Sequence, residues 1–189
     1  MRAEKIVSNE SSEIIRMFYT EFDAFLPLHF REATKGDKSL LPQHLQSEIE
    51  AMNDWVYHTV NNGVYKTGFA TSQAAYEENV YPVFASLDRL EKHLSQPEHQ
   101  PYLFGDHITD ADIRLYPTIA RFDVAYHTIF KCDMKMIRYD YPKIDQWLRR
   151  LYWDEGETTN GGAFKKTTNF SAVSFGVGHK SSRANVNLV

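Results

Sequence analysis

Cysteine is nearly absent: Cys132 is the only one in 189 residues. One thiol excludes an internal disulfide. With no apolar leader in Met1-Arg-Ala-Glu-Lys, that fits a reducing, cytoplasmic setting. No window approaches the roughly 20 apolar residues of a membrane span. The eight histidines include no i, i+4 pair and join no Cys or carboxylate cluster at ligand spacing, so no metal site is expected. No Gly-rich phosphate loop and no internal repeat occur. A net charge of −4 gives the chain no overall attraction to nucleic acid or an anionic membrane. Acidic residues are missing beyond Ala163, where Lys165, Lys166, Lys180 and Arg183 read as a solvated tail.

Aromatic residues are plentiful, with 12 Phe, 11 Tyr and 3 Trp. Such a chain can bury a large core, and some tyrosine hydroxyls need partners or face a cleft. Residues 4–8 have the look of a short strand. A helix then starts at Asn9-Glu-Ser-Ser-Glu and ends at Pro27. Residues 27–42 read as irregular. A second helix over about 43–62 places Leu45, Ile49, Met52, Trp55, Val56 and Val60 on one face, with Gly63 as its terminating glycine and 64–70 as a loop. A third, over about 72–95, carries Val80, Val83, Phe84, Leu87, Leu90 and Leu94 at 3–4 spacing and contains Pro82. A fourth spans about 110–130 and a fifth about 142–153. The remainder reads as irregular. The fold class is all-α: a helical bundle with a strand-helix remnant at the N-terminus. The lone strand has no partner in the chain to satisfy its backbone groups.

The fourth helix has the clearest start. In Ile108-Thr-Asp-Ala-Asp-Ile, Thr109 can cap the helix while Asp112 reaches back to the N–H of Thr109. This is a capping box with Asp in place of the commoner Glu, flanked by Ile108 and Ile113 as a hydrophobic staple.

A bundle whose core helix opens with Gly105-Asp-His-Ile-Thr-Asp-Ala-Asp-Ile resembles the C-terminal domain of a glutathione transferase. Further segments narrow the resemblance to the glutathionyl-hydroquinone reductases, the Xi-class, omega-like glutathione transferases. They are Val7-Ser-Asn-Glu-Ser-Ser-Glu-Ile-Ile-Arg-Met, Asn62-Gly-Val-Tyr-Lys-Thr-Gly-Phe-Ala, Tyr102-Leu-Phe-Gly-Asp, Asp112-Ile-Arg-Leu, Arg121-Phe-Asp and Phe130-Lys-Cys. Asn160-Gly-Gly-Ala-Phe-Lys-Lys-Thr-Thr-Asn-Phe is similar to the fungal branch. The resemblance implies a remnant of a thioredoxin-like glutathione-binding domain at 1–26, a linker at 27–42, the helical domain at 43–155 and a tail at 156–189. It further implies glutathione as co-substrate without a metal, quinone-type aromatic ligands, and a homodimer in the intact family.

In that family a cysteine in a Cys-Pro-Trp motif attacks the sulfur of a glutathione-conjugated hydroquinone. A mixed disulfide forms, the hydroquinone leaves, and a second glutathione resolves the disulfide. The motif is absent here and would lie upstream of Met1, so no catalytic residue is assigned and the chain as written is expected to be inactive. Cys132 matches the Phe-Lys-Cys segment, which is not the nucleophile, and reads as structural. Glu10 and Ser11 match the pair that holds the γ-glutamyl end of glutathione; read alone, they are a helix cap in which Glu and Ser merely complement the dipole. Tyr65 matches a tyrosine facing the aromatic substrate, where its phenol can donate to the leaving oxygen; read alone, it is a packed tyrosine. Tyr126, with Arg121, is a second candidate for the pocket, against packing and an ion pair of Arg121 with Asp123 or a neighbour. From Ser171 onward the family's second substrate tyrosine has no counterpart, and Phe175 or Val177 falls near its place. The rival to the enzyme is a non-catalytic helical binding or dimerisation module; a third reading is a fragment with no role of its own.

Overall fold

The computed structural model describes residues 6–175. Among them the secondary structure is helical, and the one β feature is an isolated bridge between Tyr102 and Gly105. None of the described helices is long and apolar enough to cross a membrane. The chain divides into two compact units, Met1–Gln46 and Ser47–Val189.

In the first unit, α1 (Ser11–Thr20) is followed by 3-10 turns at Asp23–Phe25, Leu28–Phe30, Glu32–Thr34 and Gly36–Lys38. Residues 27–42 are therefore a string of tight turns. Asp23 holds them: its carboxylate accepts the N–H groups of Glu32 and Ala33 at 2.7 and 3.1 Å. Arg31 donates to the carbonyls of Ala24 and Leu26, both at 2.8 Å. The expected strand does not form over Ile6, Val7 and Ser8; residues 4 and 5 lie outside the described residues. Ile6 and Val7 are exposed. An isolated segment has no neighbouring ladder to take up its backbone groups, so it stays irregular.

The second unit holds all but the first residue of α2 (Gln46–Val56), a π-helical turn at Tyr57–Asn61, and α3 (Gly63–Gly68). This corrects the sequence expectation. Gly63 does not end a helix, and 64–70 is largely helical. The reason is packing: a Cβ on Gly63 would meet Cγ2 of Val83 at 2.8 Å, so the glycine lets α3 lie close to α4 (Gln73–Leu94). Ser72 caps α4 by accepting the N–H of Ala75 at 3.2 Å. Next come α5 (Asp110–Arg121), a second π-helical turn at Phe122–Tyr126, α6 (His127–Ile129), α7 (Ile137–Asp140) and α8 (Pro142–Trp153). The span of α8 agrees with the helix expected over about 142–153. The core between α4, α5 and α8 is built from fully buried Leu87, Leu90, Leu115, Ile119, Ile144, Trp147 and Leu151. Such residues each contribute about 1.5–3 kcal/mol on burial.

The segment after α8 is not irregular as expected. It forms α9 (Ala163–Thr167) and α10 (Phe170–Phe175). No apolar period marks them in the sequence; tertiary contacts order them. The rings of Phe164 and Tyr116 lie 4.7 Å apart, those of Phe170 and Tyr152 5.5 Å, and the hydroxyls of Thr168 and Tyr116 are 2.9 Å apart. Lys165 is held to Glu155 at 2.6 Å and over the ring of Trp153, so this part of the basic tail is not merely solvated. Val177, Lys180 and Arg183 lie outside the described residues.

Candidate functional site

The box at α5 forms: Thr109 accepts from the backbone of Asp112, and Oδ2 of Asp112 accepts the N–H of Thr109 at 2.9 Å. The hydroxyl of Thr109 also lies 3.0 Å from the same oxygen. Asp112 does more than the motif foretold. Its other oxygen accepts the N–H of Leu103 at 3.0 Å and the indole N–H of Trp147 at 2.8 Å. Burial drives this carboxyl's pKa upward, while the four donors act in the opposite direction. Beside it, Asp110 accepts from Asn53 at 2.8 Å and pairs with Arg114 at 2.9 Å. These buried carboxylates anchor α5 to α2, α8 and the 102–104 turn.

Two candidates that stand 61 residues apart meet on this scaffold. Tyr65 projects from α3, and Tyr126 closes the second π-helical turn. Such a turn inserts one residue and rotates the next stretch of helix by about 100° relative to an uninterrupted α-helix. The two hydroxyl oxygens are 3.1 Å apart, and the two rings pack edge to face at 5.6 Å. Phe130 packs against both, at 5.3 Å from Tyr65 and 5.4 Å from Tyr126, and Phe69 lies 5.3 Å from Phe130. Gly68 makes this possible, since a Cβ there would fall 2.3 Å from Cγ of Phe130. Tyr126 is 4% exposed and Tyr65 43%. Burial, reinforced by the Tyr65 hydroxyl, pushes the Tyr126 phenol well above its ordinary value of 10. The cluster is thus an aromatic patch with one phenol at its edge and another beneath it. Sequence reasoning names both tyrosines but does not join them. It passes over Phe69 and Phe130, although both lie within the motifs that carry the resemblance.

Arg121 and Asp123 do not pair as the packing alternative for this helix had it. Arg121 donates to the carbonyl of Pro117 at 3.0 Å, and Asp123 caps α7 through the N–H groups of Ile137 and Arg138 at 2.8 and 3.1 Å. A carboxylate at a helix start satisfies otherwise unpaired donors.

Cys132 is fully buried. Burial pushes its thiol up to about 12, against a smaller opposing effect of the Thr67 hydroxyl. At neutral pH it is a protonated, enclosed thiol, unsuited to attack a disulfide or thioether sulfur.

In the first unit, Glu10 and Ser11 stand at the start of α1, both exposed. Glu10 occupies the capping position with an extended backbone but makes no side-chain cap bond. Ser8 serves that end instead: its Oγ accepts the N–H of Glu10 at 3.1 Å and donates to Glu13 at 2.6 Å. The alternative reading, that Glu10 and Ser11 only complement the dipole of α1, needs no such bond.

One arrangement had no signal at helical spacing. His93 and His99 stack at 3.6 Å, and Phe104 meets both rings edge-on. Nε2 of His93 lies 2.7 Å from the carbonyl of Leu103. Burial lowers the pKa of His93. Among the described residues no group of three His, Cys, Asp or Glu side chains could hold a metal ion.

Residues 73–150 match the glutathione S-transferase C-terminal domain family. An omega-like glutathione S-transferase of Schizosaccharomyces pombe is 49% identical over 168 residues, covering 89% of this chain and 50% of that protein. A glutathionyl-hydroquinone reductase of Escherichia coli is 53% identical over 157 residues, covering 82% of this chain and 44% of the relative. The chain therefore spans about half the length of the curated relatives it matches. Its fold is similar to a crystal structure of glutathione transferase Xi 1 from Trametes versicolor, with a TM-score of 0.76 at 54% identity over 89% of this chain and 53% of the other. The glutathione-bound structure of the Escherichia coli protein matches with a TM-score of 0.73 at 47% identity, over 89% of this chain and 49% of the other.

Proposed function

We propose, from the match of residues 73–150 to the glutathione S-transferase C-terminal domain family, that the chain belongs to a cytoplasmic, fungal-type, Xi-class reductase of glutathionyl-hydroquinones. Glutathione is its co-substrate, and the substrate is a quinone-type aromatic. Glu10 and Ser11 take the γ-glutamyl end of glutathione: a carboxylate pairs with the ammonium, while a hydroxyl and the N–H groups of the α1 start accommodate the carboxylate. Tyr65 faces the aromatic ring. Its phenol donates to the ring oxygen on which charge grows as the C–S bond breaks. Neither Tyr126 nor Cys132 is assigned contact with substrate.

The observation that carries this reading is the half-exposed Tyr65 at the edge of a patch formed with Phe69, Phe130 and Tyr126. A planar phenolic ligand fits such a surface by stacking, with one donor to orient its oxygen. The sole thiol of the 189 residues is buried and protonated. Polypeptide 1–189 by itself is therefore a binding unit for these ligands, without the sulfur nucleophile that the reaction needs.

The test uses purified 1–189. Hydroquinone binding, followed by tyrosine fluorescence or chemical shifts of Tyr65 and Phe69, is expected to weaken in Tyr65→Phe. Reduction of a glutathionyl-hydroquinone is expected to stay at the background rate. Turnover that vanishes in Cys132→Ser would overturn the assignment of that thiol. Hydroquinone binding unaffected by Tyr65→Phe would remove the substrate role of Tyr65.

A further inference from the structure

We infer that Tyr126 is a positioning residue: its buried hydroxyl donates to the Tyr65 oxygen and so leaves the Tyr65 proton directed outward, toward an acceptor oxygen on the bound aromatic. This rests on the proposed ligand role of Tyr65, and deepens it.

The argument is one of satisfying donors. A phenol has one proton to give and lone pairs to accept with. A buried phenol that gives its proton to nothing leaves a donor unsatisfied, at a cost comparable to a lost hydrogen bond. Tyr126 is buried, and among the described residues its hydroxyl bonds to Tyr65, 3.1 Å away. Tyr65 has an alternative that Tyr126 lacks, because 43% of it is exposed. The arrangement that satisfies both has Tyr126 donating and Tyr65 accepting. The reverse would leave the Tyr126 proton without an acceptor among the described residues.

The surroundings hold this polarity. Phe130 packs on both tyrosine rings, and Gly68 brings α3 so close to Phe130 that no side chain fits between them. The Tyr126 ring is wedged, and it sits at the end of a π-helical turn that sets its direction. π-turns recur at sites where a helix must aim one side chain off its regular face. The Tyr126 phenol also keeps its proton to higher pH than an ordinary tyrosine, as a permanent donor requires.

The consequence is chemical. With its lone pair engaged by Tyr126, Tyr65 presents its own O–H outward and acts in one direction. It favours ligands whose oxygen accepts, a phenolate above all, over rings of the same shape without that oxygen. Two phenols in series also polarise one another, so the outer donor is stronger than a lone phenol.

The experiment compares two probes on purified 1–189: 4-nitrophenolate, at a pH where it is ionised, and nitrobenzene, the same ring without the phenolate oxygen. Tyr126→Phe is expected to weaken 4-nitrophenolate binding about three- to tenfold, the size of one lost hydrogen bond, and to leave nitrobenzene unchanged. In a Tyr65→Phe background the same substitution is expected to do nothing more. If both probes weaken equally, or the effect persists in that background, Tyr126 is a packing residue and the inference fails. If Tyr65→Phe weakens the phenolate but Tyr126→Phe does not, the inference fails while the ligand reading stands. If Tyr65→Phe changes neither probe, both fail. A measurement on the unaltered protein guards against a variant that does not fold. The Tyr126 hydroxyl proton should be visible by NMR, slow to exchange and close to the Tyr65 ring; a fast-exchanging proton there overturns the inference.

Discussion

The indole N–H of Trp147 on α8 donates to Oδ1 of Asp112 at 2.8 Å, while Oδ2 of the same carboxylate closes the cap of α5. One side chain therefore starts a helix, receives a second helix, and takes the Leu103 N–H from the turn before both.

Removing Asp112 should cost more than removing any one of its partners. Asp112→Ala strands several buried donors at once, each worth about 1–3 kcal/mol, so the second unit should fail to fold or lose most of its stability. Trp147→Phe removes one buried hydrogen bond and leaves its acceptor one donor short, about 1–3 kcal/mol. Thr109→Ala should cost about 1–2 kcal/mol as a lost cap. Urea denaturation of the three variants checks the order, and equal losses would mean that Asp112 is no hub.

Gly68→Ala should disturb the aromatic patch without touching a tyrosine. The added Cβ would fall 2.3 Å from Cγ of Phe130, so Phe130 or α3 must move, and overpacking of this kind costs about 1–3 kcal/mol. Chemical shifts of Tyr65 and Tyr126 should change, and hydroquinone binding should weaken. An unperturbed spectrum would place Phe130 elsewhere.

On the acid side His93 should make the fold pH-sensitive. Burial, with smaller repulsions from His99 and Arg89, lowers the pKa of His93 below its ordinary 6.5; the Leu103 carbonyl and Glu98 act the other way. A base whose folded pKa is depressed contributes stability above its unfolded value, and that contribution is lost as pH falls through the folded one. The melting temperature should therefore decline as pH drops below about 6.5, and His93→Gln, which keeps a donor for Leu103, should flatten the decline. An unchanged slope in that variant would put the titration elsewhere.

On the alkaline side the sign is opposite. The folded protein holds the Cys132 thiol protonated up to about 12, from an ordinary 9, and burial likewise raises the phenols of Tyr102, Tyr116 and Tyr126. Acids with raised folded pKa values stabilise the fold below their unfolded values, and the contribution disappears as pH rises through the window. Stability should fall between about pH 9 and 12. Native Cys132 should react with a thiol-specific disulfide reagent far more slowly than the unfolded chain. Rapid reaction at pH 8 would contradict its burial.

The sequence alone made the helical class legible, because apolar residues at 3–4 spacing in α4 can be buried on one face only as a helix. It also made the cap of α5 legible, because Thr109 and Asp112 interact within one turn and need nothing distant. The resemblance pointed to Glu10, Ser11 and Tyr65 through local motifs. The features beyond its reach depend on residues far apart in the chain. Gly63 signals a helix end by its own preference, yet it is buried against Val83, and that contact keeps the helix going into α3. The residues after Trp153 carry no period, and α9 and α10 exist because Phe164 and Phe170 find rings to pack on. Two π-helical turns shift the face of each succeeding helix by an amount no regular wheel anticipates. Tertiary packing chose those turns, and through the second of them it set the Tyr126 hydroxyl against Tyr65.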